Sequence, residues 1–447
     1  MEKNKEKAFY KTVVRIALPV TLQSLLQSSF SVVDQLMIGK LGSGSIAGVG
    51  LGGKFSSLYS VLLAAITTAA GIMISQYMGK KDEKEVGRSF FANLMFAAGL
   101  AVLFMALCMV FPEKIMGLYT KDGDTRRIAA GYLLILAVSY LPMAVTGIVS
   151  VLLRCMEAAK FPLYASIAGA VINTGLNYVF IFGKAGFPEL GVEGAAIATV
   201  LSQIMVCGLT LWFFRGHYKK QSLRLEFLWR FDGERKRQLL EILCPIIVCE
   251  FFWSLGENVY TAIYGNIGTD ACAAMTLTIP VQTLLIGALS GLSQAAGIII
   301  GKALGAGEYE RAYGESKKLM LYGLCGSLLL SAVLLATRKY YVQIYEVEPE
   351  VRRMAYEILT VFAAVSPVKV QNMITGGGII RSGGKTKYVM CIDFIGTWFF
   401  GVPLGLLGAF VWKLPIAYVY FLLSMEECIR LGITLDVFKK RRWMRTI

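Results

Sequence analysis

Asp34 is a carboxylate inside an otherwise apolar stretch, and Gln27 and Ser31 precede it at spacings of four and three. On a helix these three side chains share one face. A lone charge at the centre of a bilayer costs about 3 kcal/mol on insertion scales. A polar stripe ending in an acid therefore calls for water or a polar partner on that side. Such an acid can bind and release a proton or a small cation. The plain structural alternative is an ion pair, for example with Lys54.

Asn173 and Asn177 lie four apart and also project from one helical face. Their amides can offer carbonyl oxygens to a cation or donors to a carboxyl group, or they can simply bond helices together. With Asp34 available, a shared site is the reading taken. Glu250 and Glu257 stand seven apart with Ser254 between them, and Asp393 lies in a later apolar stretch where Lys387 or Arg381 can neutralise it. These three are candidate cavity acids, and Gln27 and Ser31 are candidate cavity polar groups. Lys54 and Lys369 fall inside apolar stretches, where snorkelling or pairing competes with contact to an anionic ligand.

Other chemistries are excluded or have no carrier. His217 is the only histidine, so a histidine relay or a His-built metal centre is ruled out. The nine cysteines contain no CxxC and read as packing residues. Gly378–Thr386 imitates a phosphate-binding loop but is one residue too long, and no strand precedes it. No catalytic residues, metal site or cofactor are expected, and the chain does not read as an enzyme.

The elements that must position these groups are membrane helices. Apolar residues make up 56% of the chain and charged residues 17%, with a mean hydropathy of +0.59; a soluble domain carries nearer a quarter charged. Twelve stretches can each cross about 30 Å of hydrocarbon: 13–38, 46–78, 89–111, 128–153, 161–183, 191–214, 239–266, 271–304, 318–338, 351–380, 387–411 and 413–437. Ten-residue alternating strands are absent, which disfavours a barrel. The predicted fold class is all-α integral membrane.

The first of these helices recurs. Pro19–Glu85 lies over Pro245–Arg311 without a gap at an offset of 226, and 15 of the 67 positions are identical. Pro19/Pro245, Gly39/Gly265, Gly42/Gly268, Gly71/Gly297 and Gly79/Gly305 are among them, and Pro and Gly mark backbone geometry rather than greasiness. Later, Arg154 matches Arg381 and Lys160 matches Lys387 at an offset of 227. Six spans per copy make the repeat parallel, with a binding site expected between the halves. The predicted lobes are 1–220 and 221–447.

The net charge of +15 belongs to loops. With both termini inside, most of the 45 basic residues fall on the cytoplasmic side, as the positive-inside rule requires. The connector 215–238 is expected to lie on the membrane surface, where its basic residues can meet anionic lipid. Nucleic-acid binding has no soluble domain to carry it.

Three motifs identify the chain as resembling the multidrug and toxic compound extrusion family over nearly its whole length. They are Pro19…Gln23 to Val33-Asp34-Gln35…Gly39-Lys40-Leu41-Gly42, then Arg154-Cys155-Met156-Glu157-Ala158-Ala159-Lys160 followed by Asn173…Asn177…Ile181-Phe182-Gly183, and Leu190-Gly191-Val192-Glu193-Gly194-Ala195-Ala196-Ile197-Ala198-Thr199. Lys440-Arg441-Arg442-Trp443 adds to them. The resemblance implies two pseudo-symmetric six-helix lobes and a central cavity opening alternately to each side. It implies export of cationic or amphiphilic compounds in exchange for H+ or Na+. It assigns Asp34, Asn173, Asn177 and Thr199 to cation or proton binding, with Na+ at Asp34 as the one metal possibility. Some members carry Asp at the place of Asn177. Another branch uses two acids of the second half, where this chain has Trp253 and Lys385. The implied setting is the inner (plasma) membrane, multi-pass, both termini cytoplasmic, with the protein working as a monomer among lipids. A lipid-linked oligosaccharide flippase of the same superfamily is the runner-up. It would want basic residues lining a cavity, against which stand four acids and two lysines.

Overall fold

The computed structural model describes residues 2–218, 233–345 and 347–447, and they are almost wholly helical, with no strand among them. Much of the connector 215–238, and with it the surface-lying expectation, falls outside the described residues. Twelve long helices follow one another: α1 Glu2–Gly39, α2 Ser43–Gly79, α3 Glu83–Val110, α4 Gly123–Cys155, α5 Lys160–Phe182, α6 Gly191–Tyr218, α7 Gly233–Ile267, α8 Thr269–Gly305, α9 Tyr309–Gln343, α10 Pro349–Ile380, α11 Thr386–Val411 and α12 Ile416–Lys439. The first eleven are long and apolar enough to cross a membrane. The twelfth has the length but carries Glu426, Glu427 and Arg430.

Local chemistry sets several boundaries. Asp82 accepts from the Glu85 main-chain N–H at 3.1 Å and starts α3, and Asp122 accepts from that of Thr125 at 3.0 Å and starts α4. Each satisfies a donor that a helix start leaves free. α5 ends on Gly183 at φ +62°, a backbone conformation that favours glycine. Pro19 in α1 and Pro245 in α7 each delete one helical hydrogen bond at repeat-related places. Three π-helical segments interrupt the second half, at Met373–Ile380, Ile395–Gly401 and Leu407–Val411.

The chain divides into two compact units. One holds Met1–Thr21, Ser75–Lys81 and Gly233–Ile447; the other holds Leu22–Ile74 and Asp82–Asp232. In the second of these, Tyr59 stacks on Tyr140 at 4.4 Å and donates to the Tyr140 carbonyl at 2.6 Å. In the first, the core gathers around Ile358, Phe362, Val419 and Leu423. There the C-terminal ends of α2 and α8 cross at van der Waals limits. A methyl at Gly79 would strike the Lys302 carbonyl, and one at Gly305 would strike that of Gln76. Both contacts obey the 226 offset, so one glycine pair that reveals the repeat, Gly79 and Gly305, is also where its copies touch. The C-terminal segment packs over this crossing. Gln76 donates to the Ser382 carbonyl at 2.6 Å and accepts from the Ile447 main chain at 2.7 Å, and Trp443 is fully buried.

Candidate functional site

α1, α5 and α6 bring the predicted polar residues of the first half together. The Asn177 amide donates to Asp34 Oδ1 at 2.8 Å and to Asn173 Oδ1 at 3.2 Å. Asn173 reaches Thr199 Oγ1 and Ser202 Oγ, both at 3.4 Å. Thr199 and Ser202 turn their own hydroxyls onto the main chain of α6, at Ala195 and Thr199. The helical spacing of 173 and 177 puts both amides on the face that meets α1, and α5 packs along α6.

Two features of this cradle concern ion chemistry. The Asn173 amide atom facing Asp34 lies 3.1 and 3.2 Å from its two oxygens. With nitrogen there, the amide donates to an ionised carboxylate and gives up the bond from Asn177; with oxygen there, it accepts from Asn177 and from a protonated carboxyl group. Asn177 is buried, and its Oδ1 has no hydrogen-bond partner. A carbonyl oxygen in that position, beside a carboxylate, is a ready ligand for a cation. Tyr132 of α4, which the sequence reading passed over, lies within electrostatic reach of Asp34.

The remaining predicted residues are distributed differently. Gln27 and Ser31 are exposed on α1, and Lys54 is exposed on α2. No ion pair joins Lys54 to Asp34 among the described residues. Glu257 is exposed on α7. Glu250 pairs with Arg381 at 3.5 Å, Asp393 pairs with Arg381 at 3.9 Å and with Arg430, and Lys369 reaches Glu427 at 4.0 Å.

A second pattern emerges from these pairs. In the first half Arg154 donates to Gln23 Oε1 at 2.8 Å, and Gln23 donates to Ser166 at 2.7 Å. In the second half Arg381 donates to Cys249 Sγ at 3.5 Å, and Cys249 donates to Asp393 at 2.9 Å. Cys249 is the repeat equivalent of Gln23, Arg381 of Arg154, and Asp393 of Ser166. Asp393 therefore stands in a structural triad common to both halves, with its charge met by guanidinium groups. The sequence contained this signal in the 227 offset.

The sequence profile of the MatE family matches residues 19–179 and 245–407, one match per half. A probable multidrug resistance protein NorM of Thermotoga maritima is 24% identical over 416 residues, covering 90% of this chain and 88% of that one. The multidrug resistance protein MdtK of Yersinia pseudotuberculosis is 24% identical, with coverage of 91% and 89%. Among solved structures, the MATE transporter VcmN of Vibrio cholerae in its bent form superposes with a TM-score of 0.85, at 19% identity over 97% of each chain.

Proposed function

The chain belongs to the MatE family, and on that premise we propose that it is a secondary active exporter. It exchanges cationic or amphiphilic compounds for H+ or Na+ by alternating access, across a cell membrane with both termini cytoplasmic. The observation that carries the coupling part is the Asp34 cradle: one carboxylate, an amide that suits either of its protonation states, and a buried oxygen without a donor. In this reading ionised Asp34 attracts a cationic substrate. Uptake of H+ or Na+ removes that attraction, and Asn173, Asn177 and Thr199 hold the carboxyl group in place through the change. The names of the relatives support a drug-like substrate class, and their family supports transport rather than catalysis.

Reconstitution in proteoliposomes tests this. Wild-type protein should export an organic cation such as ethidium under an imposed H+ or Na+ gradient, and imposing each alone identifies the ion. Asp34→Asn should still fold and bind substrate but lose gradient-driven transport. Wild-type rates from Asp34→Asn would refute the mechanism.

A further inference from the structure

The second half contains a counterpart of the Asp34 cradle in which the acid has changed helices. At the 226 offset Asp34 corresponds to Tyr260 on α7. For α6 and α12 the packing sets the correspondence. The bare face of Gly169 meets Val206 and the Ser202 carbonyl, while that of Gly396 meets Arg430 and the Glu426 carbonyl. Ser202, beside Asn173 in the first half, is thus matched by Glu426 in the second. Where the first half sets an acid on its first helix near a hydroxyl on its sixth, the second sets a phenol on α7 against an acid on α12. The Tyr260 hydroxyl donates to Glu426 Oε2 at 2.5 Å.

We propose that Glu426 and Glu427 form a second proton-binding site, holding one exchangeable proton between them. Glu426 and Glu427 are only 5% and 6% exposed. Ion pairs link them to a set of four carboxyl groups (Glu250, Asp393, Glu426, Glu427) and three cations (Lys369, Arg381, Arg430). The set is one negative charge in excess, and an uncompensated charge taken out of water is costly. One proton makes it neutral. The neighbouring amide offers that proton an acceptor. Asn372, 8% exposed, donates its N–H to Glu427 Oε2 at 2.8 Å, yet its own Oδ1 has no donor. A carboxylic O–H, which proton binding creates, is a donor that can satisfy it.

Every packed element leaves the proton as the favoured ligand. From α10, Lys369 faces Glu427, and from α12 itself Arg430 lies 3.8 and 3.5 Å from the two acids; both repel Na+. From α11, Asp393 engages Arg430 and so competes for its charge. From α7, Tyr260 and Tyr264 present phenols, while exposed Glu257 lies within electrostatic reach of Lys369 and Tyr260. Tyr420 of α12 is bonded to Gln282 of α8, and Cys428 lies beside Glu427 on an exposed face. The backbone is shaped to the pair as well: the π-helical segment Ile395–Gly401 ends on Gly401, where an added Cβ would collide with the Tyr260 hydroxyl and Glu426. Such segments recur at functional sites.

The use of this proton in transport rests on the exporter reading, but its binding does not, so the test reads binding directly. Infrared difference spectra of the purified full-length protein, taken between acid and alkaline buffer, report carboxylic C=O groups that titrate. Wild type should show a titrating carboxyl signal that Asp34→Asn leaves in place and Glu426→Gln removes. Tyr260→Phe, which keeps the ring, should shift its midpoint. Loss of the signal in Glu427→Gln alone also supports a shared site. If Glu426→Gln and Glu427→Gln, each folded by size-exclusion and melting profile, both retain the wild-type spectrum, the proposal fails. A signal removed by Glu426→Gln in a protein that exports nothing would leave the site standing and overturn the exporter reading instead.

Discussion

At the scale of single residues, the first-half site was readable because its polar groups lie close along two apolar helices. Asp34 stood out by type and depth, and Asn173 and Asn177 by a spacing of one turn. The bond from Asn177 to Asp34 should matter energetically, since hydrogen bonds to charged groups contribute about 1.5–3 kcal/mol. Asn177→Ala is expected to weaken ion coupling by roughly ten- to a hundredfold, measured as the gradient needed for half-maximal export. Asp393 was legible in part: the sequence offered Arg381 as its neutralising partner, and the structure keeps the two 3.9 Å apart. Its other partner, Arg430, is 37 residues away on another helix, a tertiary fact that no local spacing announces. Asp122 offers a pH test outside the membrane. The Thr125 hydroxyl and main-chain N–H hold its carboxyl below the usual value. A lowered folded-state value means that the cap contributes above the unfolded pKa of about 3.9 and is lost as pH falls through the folded one. The melting temperature of Asp122→Asn should therefore lie below wild type at neutral pH, and the gap should close in strong acid.

At the scale of helices, Pro and Gly carried the message. The 226 offset survives where backbone geometry is fixed, and the crossing of α2 and α8 shows why two of those glycines cannot change. Gly79→Val and Gly305→Val should each destabilise by about 1–3 kcal/mol, as overpacking does, or prevent folding altogether. Gly50→Ala, where nothing lies within 4 Å, should be neutral or stabilising by up to about 1 kcal/mol. Monodispersity and melting point in detergent separate these cases. The sixth helices were less legible. Their offset drifts to 224, and Glu426, Glu427 and Arg430 fall midway along the predicted span 413–437, opposite uncharged Ser202, Gln203 and Val206 of the first half. Only packing against Gly169 and Gly396 restores the match. Arg430 should be the least replaceable side chain of that group. Arg430→Met strands several buried carboxylates, a loss of about 3–5 kcal/mol for a broken buried pair, visible as a sharp fall in folded yield.

For the whole molecule, the number of protons decides how much work a cycle can do. Exchange of one proton for a monovalent cation moves no net charge, so only the pH gradient counts, about 1.4 kcal/mol per unit. That sustains a gradient of about tenfold. Two protons, one from each half, move one net charge, adding about 2.3 kcal/mol per 100 mV. With two pH-unit equivalents the total is about 5 kcal/mol, a gradient of several thousandfold. If both halves bind protons that drive transport, export of a monovalent cation at zero pH gradient should respond to a potassium–valinomycin potential, and Glu426→Gln should abolish that response while leaving pH-driven exchange.

The charges on α12 also bear on how the chain enters its membrane. A helix carrying two glutamates and an arginine is a poor substrate for the translocon, at about 2.5–3.5 kcal/mol for each central charge. The counter-charges lie on α10 and α11, which leave the ribosome first. The last helix should therefore depend on neighbours already inserted, and a nascent chain stalled before α11 should leave a grafted α12 stranded outside the lipid.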